Sequence, residues 1–369
     1  MTDPIERVAA AIEAFKRGEL VVVTDDDDRE NEGDLFVAAQ HCTAEKMAFI
    51  VRHTSGIVCA PLTGDHARRL RLDPMVASND APLGTAFTVS VDFRHNLTTG
   101  ISAEERTATV RGLANDNAGP SDFVRPGHVF PLIARDGGVL MRSGHTEACV
   151  DLCKLAGLTP VGVLAELVND DGTVMRGAQV AAFAATHGLL SVSVADLITY
   201  RQRSERLIER LNSFGMETAH GPATVTVFRT PFDPMHHLAV TFGEIGDGKG
   251  IPVRLQMEDV AEHVFGRPGR LDAIIERLAR EQRGVIIYLR EGAVGVARSG
   301  IRTRDASRSD EEHGSAQARE LEWREIGLGA QILKDLGVRS IRLIASRERR
   351  YVGLGGFGIE IEDTDLLEG

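Results

Sequence analysis

Cysteine is scarce in this sequence, four in 369 residues, and none follows Cys153. That is too few for a disulfide scaffold at this length, so a reducing cytoplasm is the expected compartment. No stretch approaches the ~18–20 apolar residues of a membrane span, so no membrane partner is expected. The N-terminus, MTDPIERVAAAIEAFKRGEL, lacks the basic and apolar regions of a secretory signal. Basic residues are outnumbered, 42 Lys and Arg against 54 Asp and Glu, which gives a formal charge of −12. A nucleic-acid partner is therefore not expected, because a phosphate backbone needs clustered cations. Any phosphate held here must be small and gripped by local donors. The remaining composition, 43% hydrophobic and 26% charged, is that of a soluble globular chain. Its length suggests two or three domains.

The first twenty residues read as an amphipathic helix, with Ile5, Val8, Ala9, Ile12 and Phe15 on one face. The β-branched run VVV, an acidic loop and a strand-like run from Asp34 follow. Strand-like and helix-like segments then alternate to about Tyr200. SGIVCAPL and GVLAEL read as buried strands, and Thr43 to His53 as a helix. From Arg201 to Glu217 the charged pattern reads as helix, and the domain boundary is placed near there: residues 1–205 and 206–369. The second half alternates strands (TVTVFRT, HHLAVTFGEI, VIIYLR, VRSIRLIAS) with helices (LDAIIERLAREQRG, EIGLGAQILKDLG). That rhythm predicts a second α/β domain. The polar segment RSGIRTRDASRSDEEHGSAQ reads as a loop.

Four clusters could carry chemistry. DDDDRENEGD, Asp25 to Asp34, holds seven carboxylates in ten residues. Such a run repels itself unless exposed or neutralised, and a hard cation, Mg²⁺ first, is the natural neutraliser. A solvated acidic turn is the bland alternative, and an EF-hand fails because its twelfth position is Ala39. In RSGHTEACVDLCKLAG, Cys149, Leu152, Cys153 and Ala156 form one apolar helix face. Ser143, Gly144 and Thr146 surround that helix's start, where free N–H groups and Arg142 make an anion site. His145 beside them could ligate a metal or move a proton. In RPGHVFPL, two prolines and a glycine hold His128 on a stiffened turn, a candidate acid–base group. Glu166 ends an apolar run, where burial would raise its pKa. Near the C-terminus, GLGGFG matches a dinucleotide fingerprint, but eleven residues cannot complete the βαβ unit.

With RHTSGIVCAPL, TTGISAEER and GVLAELVNDDGT, these motifs resemble 3,4-dihydroxy-2-butanone-4-phosphate synthase of riboflavin biosynthesis, over roughly residues 5–202. The resemblance implies a compact mixed-sheet α/β (α+β) domain. It implies a lyase that converts ribulose 5-phosphate to 3,4-dihydroxy-2-butanone 4-phosphate plus formate. It also implies Mg²⁺, with Mn²⁺ acceptable to the same ligands, and a homodimer formed through this domain. By position, Glu30 and His145 are the implied metal ligands. Arg29, Asp34, Arg142, Ser143, Gly144, His145, Thr146 and Glu166 are the implied substrate contacts. His128 and Glu166 are the implied catalytic pair, with Thr98 to Gly100 beside them. A regulatory module that binds sugar phosphate without turnover is the non-enzyme alternative. Against it, every group the lyase chemistry needs is present.

Residues 220–362 resemble GTP cyclohydrolase II, an α/β domain often fused to the synthase. That family holds zinc with three cysteines, where this chain reads VRLQMEDVAEHVFGRPGRLDA. His263 alone replaces them poorly. The expectation is therefore a domain that folds, binds no zinc and does not hydrolyse GTP. The alternative is a bifunctional enzyme whose second site uses other ligands.

Overall fold

The computed structural model describes residues 3–25, 30–231, 233–266, 269–290, 327–345 and 358–366. The expectations for Arg29, for the polar segment at 298–317 and for most of GLGGFG lie outside these residues. The chain divides into two compact units, Met1–Arg201 and Gln202–Gly369. Each is built on its own seven-stranded sheet.

The first unit begins with α1 (Pro4–Lys16). Asp3 caps Ile5 N–H at 3.2 Å, and Pro4 fills a first-turn position whose N–H needs no partner. Next come β1 (Val21–Thr24), β2 (Gly33–Ala38), α2 (Ala44–His53), β3 (Cys59–Leu62), α3 (Gly64–Leu70), β4 (Val91–Phe93) and α4 (Ala103–Leu113). Thr43, Thr63 and Ser102 cap α2, α3 and α4 through their side-chain oxygens. The unit continues with β5 (Phe123–Ile133), α5 (His145–Leu155), β6 (Gly162–Glu166), α6 (Ala178–His187), β7 (Leu190–Ser193) and α7 (Val194–Ser204). The sheet runs β4-β5-β3-β6-β2-β1-β7. It is mixed: β3/β5 and β1/β7 are parallel, and the other named pairs are antiparallel. All six residues of β2 are buried, which places the strand leading from the acidic loop at the heart of the sheet.

The second unit contains β8 (Glu209–Thr218), β9 (Gly221–Thr230), β10 (Asp233–Gly243), β11 (Ile251–Met257), α8 (Val260–Phe265), α9 (Arg270–Glu281) and β12 (Arg283–Leu289). A helix over 327–335, then β13 (Ser340–Ala345) and β14 (Glu360–Leu366), complete it. Its sheet order is β14-β13-β11-β12-β10-β9-β8. The strands β8 to β10 form an antiparallel meander, and β11 to β14 pair in parallel.

Two expectations of local structure change. The helix read over Arg201 to Glu217 stops at Ser204, and Glu209–Thr218 is strand. Arg, Glu and Leu favour helix locally, but the long ladder with β9 overrides that preference. Its first rung sets Glu209 against Arg229, whose side chains pair at 2.8 Å. His128 is likewise not on a turn. Its residues run inside β5, whose register shifts against β4 next to Asp92. Among the described residues no helix is long and apolar enough to cross a membrane.

The helix α5 lies against β6 through a close approach at Gly162. A Cβ there would run into Cys149 Sγ, which is fully buried. Gly162→Ala is therefore expected to destabilise the first unit by about 1–3 kcal/mol through overpacking. Urea unfolding checks this, and Cys149→Ala in the same chain should restore part of the loss. An unchanged midpoint for Gly162→Ala alone would contradict the packing.

Candidate active site

The strand β1 delivers Asp25 to the rim of the sheet, where its carboxylate folds the loop back. Oδ2 accepts from Glu30 N–H at 3.1 Å and Oδ1 from Glu32 N–H at 2.9 Å. Asp34, the second residue of β2, sits directly opposite Glu166 at the end of β6. Directly opposed residues of an antiparallel pair point to one face. Phe36, two residues on, meets the His145 ring edge-on at 6.0 Å between centroids, so the start of α5 lies over that face. His145 Nδ1 is then 3.8 Å from Asp34 Oδ1 and 4.0 Å from Glu30 Oε2. The distant sequence segments that carry Glu30 and His145 thus meet within one chain.

The electrostatics here would favour a bound cation. Asp34 is 2% exposed, and its Oδ1 is buried without a hydrogen-bond partner. Burial first, and then the charges of Glu166, Glu30, Asp25 and Glu32, hold its carboxyl well above the usual range. Among the described residues, ligand atoms of Asp25, Glu30 and His145 lie within 4.8 Å of one another. Carboxylate and imidazole donors in that array fit a hard divalent ion. Asp25 is the member that the sequence reading did not single out. Its signal was its place as the first acid after a buried strand. Glu166 is also held high, first by desolvation and then by the charge of Glu32.

The start of α5 has a different character from a bare anion site. Arg142 Nη1 pairs with Glu147 Oε2 at 2.6 Å, and Glu147 is 1% exposed. Its Nη2 reaches Leu83 O at 3.2 Å and Thr85 Oγ1 at 3.1 Å. The guanidinium therefore ties the turn Arg142–Gly144 to the 83–85 segment. Gly144 is the N-cap, and a Cβ on it would strike Arg142 and Glu147. Thr146 and His145 are both buried in the first turn.

His128 stands apart from the acid cluster. The strand β3 lies between β5 and β6. Two strand spacings, roughly 10 Å, therefore separate the backbones that carry His128 and Glu166. By register, Cys59 faces Phe130 on β5 and Leu164 on β6, so His128 and Glu166 lie toward the same end of the sheet. Asp92, 4% exposed, accepts from His128 N–H at 2.8 Å and faces its Nδ1 at 2.7 Å. Gly100, at φ +84°, packs so closely on Asp92 and His128 that a Cβ would collide with both. Thr98 N–H donates to Glu105 Oε1 at 2.6 Å and Thr98 Oγ1–H at 2.7 Å, which fixes the Thr98–Gly100 loop. Cys59, buried near Asp34 and Glu166, has its thiol pushed far up, mainly by burial. That leaves it a packing residue.

In the second unit, a cleft of about 420 Å³ is lined by Arg254, Gln256, Glu262, His263, Arg270 and Asp272, among others. His263 Nδ1 is 2.8 Å from Tyr288 Oη, and its Nε2 is 3.4 Å from Gln256 Nε2.

Residues 9–200 match the model of the family described as 3,4-dihydroxy-2-butanone 4-phosphate synthase, and 209–365 that of GTP cyclohydrolase II. A relative from Arabidopsis thaliana, named bifunctional riboflavin biosynthesis protein RIBA 1, chloroplastic, is 45% identical over 98% of this chain and 68% of its own. A solved two-domain 3,4-dihydroxy-2-butanone 4-phosphate synthase from A. baumannii, RibBX, is 34% identical. It covers 98% of this chain and 99% of its own with a TM-score of 0.79. A solved synthase described in complex with two magnesium ions is 48% identical over 53% of this chain and 97% of its own, at a TM-score of 0.52.

These matches overturn the expectation that the second domain is inactive. It fits the cyclohydrolase II model over nearly its whole length, and a relative spanning both domains is named bifunctional. The physical error was to treat missing cysteines as missing activity. Their absence excludes a thiolate-held metal only, and imidazole and carboxylate groups remain in the cleft. The chain belongs to the 3,4-dihydroxy-2-butanone 4-phosphate synthase family, its synthase domain fused to a domain of the GTP cyclohydrolase II family.

Proposed function

We propose that the first domain converts ribulose 5-phosphate to 3,4-dihydroxy-2-butanone 4-phosphate and formate. The observation that carries this reading is the meeting of Asp25, Glu30, Asp34 and His145 beside Glu166. Glu30 and His145, joined by Asp25, would hold a divalent cation, Mg²⁺ first and Mn²⁺ as an acceptable substitute. When bound, such an ion stabilises the negative charge that develops as a carbon beside the ketone loses its proton, a contribution of several kcal/mol. The protein's own groups do the rest. Glu166, held above the usual carboxylate range by desolvation and by Glu32, is suited to take and return a proton. His128 turns Nδ1 toward Asp92, so its Nε2 serves as the second acid–base atom. Their separation suits a sugar phosphate laid between them. Ser143 and Thr146 offer N–H groups at the start of α5 for the phosphate, Gly144, whose own N–H donates to Arg142 O at 2.8 Å, is assigned to substrate contact by its place between them, and Arg142 holds that turn in shape. Arg29 and Asp34 are assigned to substrate contact, and the homodimer to this domain. The free, buried cysteines accord with a cytoplasmic setting.

For the second domain, the proposed reading is ring-opening of GTP, as the bifunctional relative's name supports. With no cysteine after Cys153, any zinc there takes nitrogen and oxygen ligands.

Glu30→Gln and His145→Ala are expected to lower formate release from ribulose 5-phosphate by about 10²-fold or more. Arg142→Ala should mainly raise KM. Assays of the purified variants with Mg²⁺ check this, and full activity in an extensively chelated wild-type sample would contradict the metal role. With GTP and added zinc, the intact chain is expected to release formate and to retain zinc through dialysis. Neither formate nor retained zinc would overturn the second reading.

A further inference from the structure

The helix α5 carries two buried carboxylates that the chemistry above does not use. Glu147 and Asp151, 1% and 2% exposed, stand one helical turn apart and so lie on one side of α5. Both are spent on the turn between β5 and α5. Glu147 Oε1 accepts from Arg135 N–H at 2.9 Å, and its Oε2 pairs with Arg142. Asp151 Oδ2 accepts from Val139 N–H at 2.8 Å. The turn rests directly on this second carboxylate. Gly137 and Gly138 adopt φ +90° and +64°, and a Cβ on Gly138 would collide with Asp151.

Asp151 has a further partner from the far end of the domain's sequence. Arg201, in α7, is the last residue of the first unit, and its side chain is 12% exposed. Its Nη1 donates to Asp151 Oδ2 at 2.8 Å and to Gly137 O at 2.7 Å. One nitrogen thus ties α7 to both α5 and the turn. The path from there to the start of α5 is short. Gly138 O accepts from Arg142 N–H at 3.1 Å, and Arg142 O accepts from Gly144 N–H at 2.8 Å. A buried ion pair adds little net stability over apolar packing of the same volume. What it supplies here is direction, because charge-assisted hydrogen bonds hold their partners in a defined geometry.

We propose that Asp151 and Arg201 are positioning residues for the substrate's phosphate: together they hold the 137–142 turn so that the N–H groups of Ser143 and Thr146 converge on one anion. The proposal rests on the reading that the start of α5 takes the phosphate. Loss of the pair lets the turn drift and weakens that grip. The acids on β1 and β2 and Glu166 on β6 are left in place, so the effect falls on substrate binding more than on turnover.

The test uses the full-length chain. Arg201→Met removes both donations, and Arg201→Lys keeps a cation. The double variant Asp151→Asn with Arg201→Met keeps an acceptor for Val139 N–H and buries no lone charge, so it serves should Arg201→Met alone unfold. Steady-state assays with ribulose 5-phosphate and Mg²⁺ give kcat and KM, and competition by inorganic phosphate gives its Ki. In Arg201→Met and in the double variant, KM and the phosphate Ki are expected to rise together by about 10-fold, with kcat falling much less. Arg201→Lys should recover most of the loss. A folded Arg201→Met or double variant with wild-type KM and Ki would overturn the proposal. So would a fall in kcat as large as the rise in KM, the mark of a general packing role. Absence of competition by phosphate in the wild type would instead overturn the reading of the helix start, and the proposal with it.

Discussion

Like charges crowded at one end of the first sheet govern the rest of this domain. Asp34 is buried at the start of a strand with no exposed residue, and Glu30, Asp25, Glu32 and Glu166 all act on it with the same sign. Proteins tolerate such an arrangement when a cation can neutralise it. The backbone is shaped to keep the charges together rather than to disperse them. Asp25 staples the loop through two N–H bonds, and the antiparallel ladder sets Asp34 against Glu166. The helix α5 then brings His145 to the same point from more than a hundred residues away in sequence.

The distribution of rigidity follows from that centre. The helix α5 sits close to the sheet because Gly162 leaves room for Cys149. Its first turn is locked by the partly buried Arg142–Glu147 pair, which also reaches the 83–85 segment. Across β3, a second polar centre is built from Asp92 and His128, closed over by Gly100. The Asp25–Glu30–Asp34–His145 cluster and the Asp92–His128 pair thus lie toward one end of a single sheet. That division suits a reaction in which charge stabilisation and proton transfer act on different parts of one substrate.

Much of this was legible in the sequence because the signals were local and dense. Seven carboxylates in ten residues announce a problem of charge, and Ser143–Thr146 before an apolar helix face mark a helix start. The buried strands within SGIVCAPL and GVLAEL followed from their apolar runs, and the mixed sheet from the family resemblance. What was not legible depended on partners far away. Nothing near Arg142 shows that Glu147 and Thr85 engage its guanidinium. Asp92 lies in a three-residue strand with no motif around it, and only the fold brings it to His128. The strand Glu209–Thr218 carries a helical composition, and its pairing with β9 decides otherwise. For the second domain, the missing cysteines were read as lost activity. The cleft around His263 shows that other donors remain.

The central claim is that acids following the first strand and a histidine opening a distant helix share one divalent ion. Its most direct test is Mn²⁺ binding to the intact protein, followed by the loss of the free-ion EPR signal, in the wild type and in Glu30→Gln and His145→Ala. The account predicts saturable binding by the wild type that both substitutions weaken and that Mg²⁺ competes away. Saturable binding that survives both substitutions unchanged would place the ion elsewhere and contradict it.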